Sequence, residues 1–98
     1  MTAKPLVAAT DGSEESLRAV EWAAREAALR DAPLQIVAAV SVPAMINLLV
    51  RPDRDFVADL IREERDRILG AAAARVAEVA PGLQVDTGHG TLATVFGA

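Results

Sequence analysis

LVAATDGSEESLRAVEWAAREAALR, from Leu6 to Arg30, is the stretch that predicts the fold. Residues 6–10 form a short apolar run, which is typical of a strand buried within a parallel sheet. Asp11-Gly12-Ser13 predicts a tight turn, and a helical pattern begins directly after it. Backbone N–H groups and the positive end of a helix dipole would therefore lie at the carboxyl end of a strand. Open α/β sheets bind nucleotides and other anionic ligands at this position.

The helix after this turn has two candidate N-caps. Ser13 is a favourable capping residue, whereas Asp11 and Glu14 have the spacing of a capping box. Pro33 is expected to end the helix. The predicted inward face consists of Leu17, Val20, Ala24, Ala27 and Ala28. Three acid–base pairs at i,i+4 are predicted on the opposite face: Glu14/Arg18, Glu21/Arg25 and Glu26/Arg30.

The remaining segments continue the alternation of strands and helices. They are a strand over Leu34–Val42, a helix over Asp55–Ala80, a strand over Leu83–Thr87, a turn at Gly88-His89-Gly90 and the start of a helix over Thr91–Ala98. The apolar connection Pro43–Asp55 is expected to lie against the sheet, a partner subunit or a ligand. This order predicts one α/β domain, with a parallel sheet and helices on both faces.

Composition narrows the class of protein. With 98 residues, 52% of them hydrophobic, the chain is one compact domain or a piece of one. The net charge of -4 argues against a surface that binds nucleic acid. There is no cysteine, and no uninterrupted apolar run reaches the roughly 18 residues of a membrane span. We therefore expect a soluble cytoplasmic protein without nucleic-acid or membrane partners.

The segments ATDGSEES, AVEWAAREAALRDAPL and IVAAVSVP resemble the universal stress protein family. The later segment HGTLATVF is similar to the family's G-x-P-x-x-x-L/I helix start, with Gly90 as its glycine. The resemblance runs over essentially the whole chain. It implies a Rossmann-like fold of the adenine-nucleotide alpha hydrolase type, with five parallel strands in the order 3-2-1-4-5. Residues 1–98 would then be the N-terminal two-thirds of the domain, with the order 3-2-1.

One subset of the family binds ATP through a glycine-rich segment, G-x2-G-x9-G-[S/T], that follows the fourth strand. This sequence contains no segment of that form. The resemblance therefore implies ATP binding in an intact domain and impaired binding in this chain. It also implies dimers, because many family members dimerise. A first strand without a fourth strand beside it would expose an edge that pairs with another chain, which predicts a homodimer or larger assembly.

The resemblance assigns five candidate ligand-binding residues: Thr10, Asp11, Ala39, Val40 and Gly90. The matching aspartate of ATP-binding relatives sits against the nucleoside, and Thr10 flanks the same pocket. Each residue also has a structural interpretation. Asp11 can simply close the turn and cap the helix, Ala39 and Val40 can belong to the sheet core, and Gly90 can meet a backbone requirement.

The residues do not favour metal binding or phosphatase catalysis. His89 is the chain's one histidine, and no set of ligands converges at metal-binding spacing. A D-x-D-G-[T/S] phosphatase needs a nucleophilic aspartate where this chain has Ala9. Trp22 is predicted to be a packing or interface residue. We therefore expect no enzyme and no metal site. Two functions remain: a nucleotide-binding stress-response regulatory module, or a module of the same family that dimerises or docks on another protein.

Overall fold

The computed structural model describes residues 4–43, 54–87 and 91–96, which form parallel strands and two helices. In chain order the elements are β1 (Leu6–Thr10), α1 (Glu14–Leu29), β2 (Leu34–Pro43), α2 (Arg54–Val79), β3 (Val85–Asp86) and β4 (Thr91–Phe96). Every strand pairing is parallel. The predicted α/β class is confirmed.

Strand β2 lies at the centre of the described sheet. Strand β1 pairs along one of its edges, with Thr10 opposite Ala38, and β3 pairs with the start of β2 on the other edge. Strand β4 pairs with residues 38–43. Because Ala38 is opposite both Thr10 and Thr91, β4 lies on the same edge as β3. The predicted strand order 3-2-1 is therefore confirmed, with two short strands sharing the third position.

The prediction of a helix over Thr91–Ala98 was wrong, because residues 91–96 form β4. The likeness of HGTLATVF to a helix start therefore does not describe the structure of its TLATVF part. The segment TLATVF contains two threonines, a valine and a phenylalanine, which favour extended backbone. The long strand β2 also extends beyond β1 and β3 and offers an edge on which this segment pairs. Gly90 lies outside the described residues.

Two other predicted segments differ in extent. The third strand covers only Val85–Asp86 instead of 83–87, because its pairing with β2 is limited to Leu34 and Gln35. Helix α2 begins at Arg54 and ends at Val79, one residue from the predicted bounds at each end. Residues 44–53, most of the predicted apolar connection, lie outside the described part of the chain.

Hydrogen bonds between neighbouring residues, and one left-handed residue, fix the two ends of helix α1. Ser13 is the N-cap, and its hydroxyl oxygen accepts a hydrogen bond from the Ser16 N–H. At the other end Asp31 has a positive φ of 53°, and the Ala32 N–H bonds the Ala27 carbonyl at 2.8 Å. The helix therefore stops at a left-handed residue before Pro33 is reached. Ala28, predicted to face inward, is exposed.

Both described helices cover the same face of the sheet. Helix α1 packs on β1, α2 packs on β2, and the two helices pack against each other. Alternate strand residues face them and are buried: Ala8, Thr10, Leu34, Ile36, Ala38 and Val40. They form one core with Leu17, Val20, Ala24, Ala27, Ile68, Ala72 and Val76 of the helices.

The opposite face of the sheet carries the alternate set of strand residues. Val7 is 62% exposed, Ala9 is exposed, and Val37 and Ala39 are half-buried. The expectation of helices on both faces is thus met on one face within the described residues. The physical reason is that successive right-handed crossovers running in one direction along a sheet place their helices on the same side.

Candidate functional site

The turn between β1 and α1 is built by three residues with different tasks. Strand β1 ends at Thr10, Asp11 leaves the strand, and Gly12 has a φ of +88°. This left-handed backbone is accessible to glycine at little cost. Ser13 then caps α1, and its carbonyl accepts the Leu17 N–H at 2.9 Å. The predicted tight turn is confirmed, and of the two candidate caps, Ser13 and Asp11, the structure has Ser13 as the N-cap.

Side-chain hydroxyls connect the strand to the helix across this turn. The Gly12 N–H donates to Thr10 Oγ1 at 3.0 Å, and Thr10 Oγ1 lies 2.7 Å from Ser16 Oγ. Ser16 Oγ in turn donates to Asp11 Oδ1 at 2.9 Å. Since each hydroxyl has one proton, Thr10 is the donor to Ser16 when Ser16 donates to Asp11. The chain of bonds holds the buried Thr10 and the exposed Asp11 in one network.

Asp11 is held in its ionised form. Hydrogen bonds from the Ser13 side chain, the Ser13 backbone N–H and the Ser16 hydroxyl lower the pKa of Asp11 from 3.8 to about 2. The Ser13 N–H bond to Oδ1 is 2.9 Å long. An ionised carboxylate only accepts hydrogen bonds. Because Asp11 is exposed at the carboxyl end of β1, it can accept bonds from hydroxyl or amino groups of a ligand.

Helix α2 supplies a guanidinium and an apolar side chain to the back of this turn. A Cβ atom placed on Gly12 would lie 3.3 Å from Ile68 Cγ1 and 3.7 Å from Arg67 Nη2. The turn therefore packs directly against α2, and any side chain at position 12 would press on Ile68. Arg67 also pairs with Glu64 one turn earlier on the same helix. This pairing lowers the pKa of Glu64 and raises the pKa of Arg67.

The first turn of α1 is tied to α2 by a second arginine. Arg75 Nη2 lies 2.6 Å from Glu14 Oε2, and Arg75 Nη1 lies 2.8 Å from Glu21 Oε1. The hydrogen bond from Arg75 lowers the pKa of Glu14. Glu14 and Glu21 therefore bind across the helix interface, whereas the sequence pairs them with Arg18 and Arg25. The predicted pair of Glu26 and Arg30 is present at 3.3 Å.

The two candidate residues on β2 lie just beyond the level at which β1 ends. Thr10 is opposite Ala38, so Ala39 and Val40 are the next two residues toward the turn. Val40 is 2% exposed and belongs to the core under the helices, whereas Ala39 is half-buried on the opposite face. The structure thus brings Thr10 and Asp11 together and separates the side chains of Ala39 and Val40 onto different faces.

Three residues that contact the turn or α1 were not predicted from the sequence: Ser16, Arg67 and Arg75. Ser16 carried a usable signal, since serine side chains near the start of a helix commonly hydrogen-bond to neighbouring backbone groups, as Ser16 Oγ does to the Ser13 carbonyl at 2.9 Å. The two arginines carried none, because they meet the turn and α1 through tertiary packing of residues more than 50 positions away.

The described residues include no cluster of three or more His, Asp or Glu side chains that could hold a metal ion. His89 lies outside the described residues. A groove of about 360 Å³ lies at the opposite end of the sheet, between the ends of the two helices. Its lining includes Asp31, Pro33 and Leu83, so it is separate from the β1–α1 turn. None of the described helices combines the length and the apolar character needed to cross a membrane.

Comparison with known proteins points to one family. Residues 2–95 match the model of the universal stress protein family. No significant match was found among curated proteins.

Solved structures from the same family share the fold. A universal stress protein in complex with cAMP is 24% identical, with a TM-score of 0.63, over 99% of this chain and 64% of its own. A family protein from Burkholderia pseudomallei is 26% identical, with a TM-score of 0.66, over 92% and 62%. A universal stress protein from Archaeoglobus fulgidus is 22% identical, with a TM-score of 0.59, over 94% and 58%. The chain thus spans less than two-thirds of the length of each of these relatives.

Proposed function

This chain belongs to the universal stress protein family, and from that premise we propose that it is a regulatory module that binds an adenine nucleotide. The ligand would lie at the carboxyl ends of β1 and β2, with its ribose hydroxyls donating to Asp11. The observation that carries the proposal is the fixed, ionised and exposed carboxylate of Asp11 at the end of a parallel strand. A structural neighbour in complex with cAMP supports the choice of an adenine nucleotide.

Binding by this chain is expected to be weak. Backbone donors of a glycine-rich loop supply much of the affinity for a triphosphate, and this sequence has no G-x2-G-x9-G-[S/T] segment. Of the candidate residues, the carboxylate of Asp11 and the half-buried Ala39, which lies on the sheet face opposite the two described helices, remain available for binding. We therefore expect ATP to bind this chain weakly, with a dissociation constant above the low-micromolar range.

The proposal is tested by NMR titration of the 98-residue chain with cAMP and ATP, and with uridine nucleotides for comparison. Saturable amide shifts should cluster at residues 9–13 and 38–41. Asp11→Asn should weaken binding while keeping an acceptor for the Ser13 N–H. Asp31→Asn is the matched control, because Asp31 is also exposed but lies at the other end of α1.

Two results would contradict this function. Shifts confined to residues 80–84 would place the ligand in the groove at the other end of the sheet. An absence of saturable shifts with every nucleotide would remove nucleotide binding altogether. A low-micromolar ATP site in the monomer would refute the expected weak binding.

The exposed apolar residues favour a second function, a module that docks on another protein or on a second copy. Val7 is 62% exposed, Trp22 61% and Leu29 80%. Large exposed apolar side chains are common at protein interfaces. We propose a homo-oligomer, without catalytic activity and located in the cytoplasm, as the form in which either function is carried out.

A further inference from the structure

Arg67 is the guanidinium that the structure places against the β1–α1 turn. Its Nη2 atom would lie 3.7 Å from a Cβ built on Gly12, so the guanidinium lies beside the residue that follows Asp11. The side chain of Arg67 is 64% exposed, so a ligand at the turn can reach it from solvent. Its neighbour Ile68 is buried and anchors this part of α2 under the turn.

The present partner of Arg67 is replaceable. Its Nε donates to Glu64 Oε2 at 3.1 Å, and its Nη2 donates to Glu64 Oε1. Two parallel N–H donors meeting two oxygens is the geometry with which arginine also binds a phosphate group. Exposed ion pairs of this kind contribute little net stability, so exchanging one anion for another costs little.

A phosphate near this turn would need a cation, because the turn itself is acidic. Asp11 is ionised, and Glu14 and Glu15 follow in the first turn of α1. Arg75 already binds Glu14 and Glu21 across the helix interface, where its side chain is only 29% exposed. Arg67 is the more accessible of the two guanidinium groups.

We propose that Arg67 exchanges Glu64 for the phosphate of the bound nucleotide, and so selects phosphorylated nucleosides over free nucleosides. Asp11 and Arg67 would then have complementary tasks. The carboxylate accepts hydrogen bonds from the sugar hydroxyls, and the guanidinium neutralises the phosphate. This inference rests on the proposed nucleotide-binding function and adds to it a residue that determines specificity.

The test is a pair of NMR titrations of the full 98-residue chain, with AMP and with adenosine, which have the same base and sugar. Arg67→Ala should weaken AMP binding about tenfold, as expected for one lost charge-assisted contact, and leave adenosine unchanged. Glu64→Gln should release Arg67 and strengthen AMP binding by about threefold, again without effect on adenosine. Arg62→Ala is the control, because Arg62 pairs with Asp59 at i,i+3 and has a similar exposure of 59%.

The possible results distinguish a failure of the role proposed for Arg67 from a failure of the nucleotide-binding function. If AMP and adenosine bind, and Asp11→Asn weakens both, but Arg67→Ala leaves AMP unchanged, then the role of Arg67 is wrong and the nucleotide site stands. An equal loss of AMP and adenosine affinity on Arg67→Ala would also overturn it, since that loss would be structural. If neither ligand binds the unmodified chain, both the function and the role of Arg67 fail.

Discussion

Thr10 shows how one hydroxyl joins a strand to a helix. The side chain is 1% exposed, accepts the Gly12 N–H and contacts the Ser16 hydroxyl. Thr10→Val keeps the shape of the side chain but removes its hydroxyl. The Gly12 N–H then loses its acceptor, and the Ser16 hydroxyl loses its hydrogen bond to residue 10. We expect a loss of about 1–2 kcal/mol in the free energy of unfolding, measured by urea denaturation.

Thr10→Ser is the control, because it retains the hydroxyl and loses only a methyl group. The serine variant should keep the amide shifts of Gly12 and Ser16, whereas the valine variant should change them. If Thr10→Val were as stable as the unmodified chain, the hydroxyl network would not contribute to the free energy of unfolding.

Because the pKa of Asp11 is lowered in the folded chain, the free energy of unfolding should depend on pH. The Ser13 side chain and N–H, together with the Ser16 hydroxyl, lower its folded pKa to about 2, from 3.8. Because the folded pKa is the lower one, the contribution of Asp11 to stability is present above pH 3.8 and is lost as the pH falls to about 2. The difference in unfolding free energy between the unmodified chain and Asp11→Asn should therefore shrink across this window. An Asp11 carboxyl that titrates near 3.8 by NMR would contradict the network.

At the scale of elements, Arg75 couples α1 to α2. It binds Glu14 and Glu21, which lie about two turns apart on α1, while its side chain is only 29% exposed. The Arg62–Asp59 pair, in contrast, lies within one helix and is 59% and 66% exposed. Less exposed and networked ion pairs are screened less by water and salt.

We therefore expect a larger interaction energy between Arg75 and Glu14 than between Arg62 and Asp59. Double-mutant cycles with Arg75→Gln and Glu14→Gln, and with Arg62→Gln and Asp59→Asn, measure both pairs by chemical denaturation. Losing Arg75 should also shift amide resonances at the start of α1, near Ser13. Equal coupling in the two cycles would contradict this expectation.

At the scale of the whole molecule, β1 forms one of the two edges of the described sheet. The Leu6 N–H bonds the Pro33 carbonyl toward β2, so the alternate residues Val7 and Ala9 direct their backbone groups to the other side. Within residues 4–43, 54–87 and 91–96, β1 pairs only with β2. Open edges with exposed apolar side chains pair with other chains.

We expect self-association of the 98-residue chain, with β1 in the contact. Light scattering at high micromolar concentration should show a dimer or a larger assembly. Val7→Lys should shift the equilibrium toward monomer, whereas Ala74→Lys, at an exposed position on α2 outside the proposed contact, should not. If the unmodified chain is a monomer at these concentrations, the expectation is refuted.

The sequence alone determined the features that depend on neighbouring residues. Apolar runs and turn chemistry located β1, α1, β2 and α2, and the Asp11-Gly12-Ser13 turn followed from local hydrogen bonding and the conformational freedom of glycine. Tertiary structure decided the rest. Residues 91–96 became a strand because the edge of β2 was available, Val40 entered the core because α2 covers its face, and Arg67 reached the turn because α2 packs beside α1. These outcomes depend on contacts between residues far apart in the chain, and no local pattern of side chains encodes such contacts.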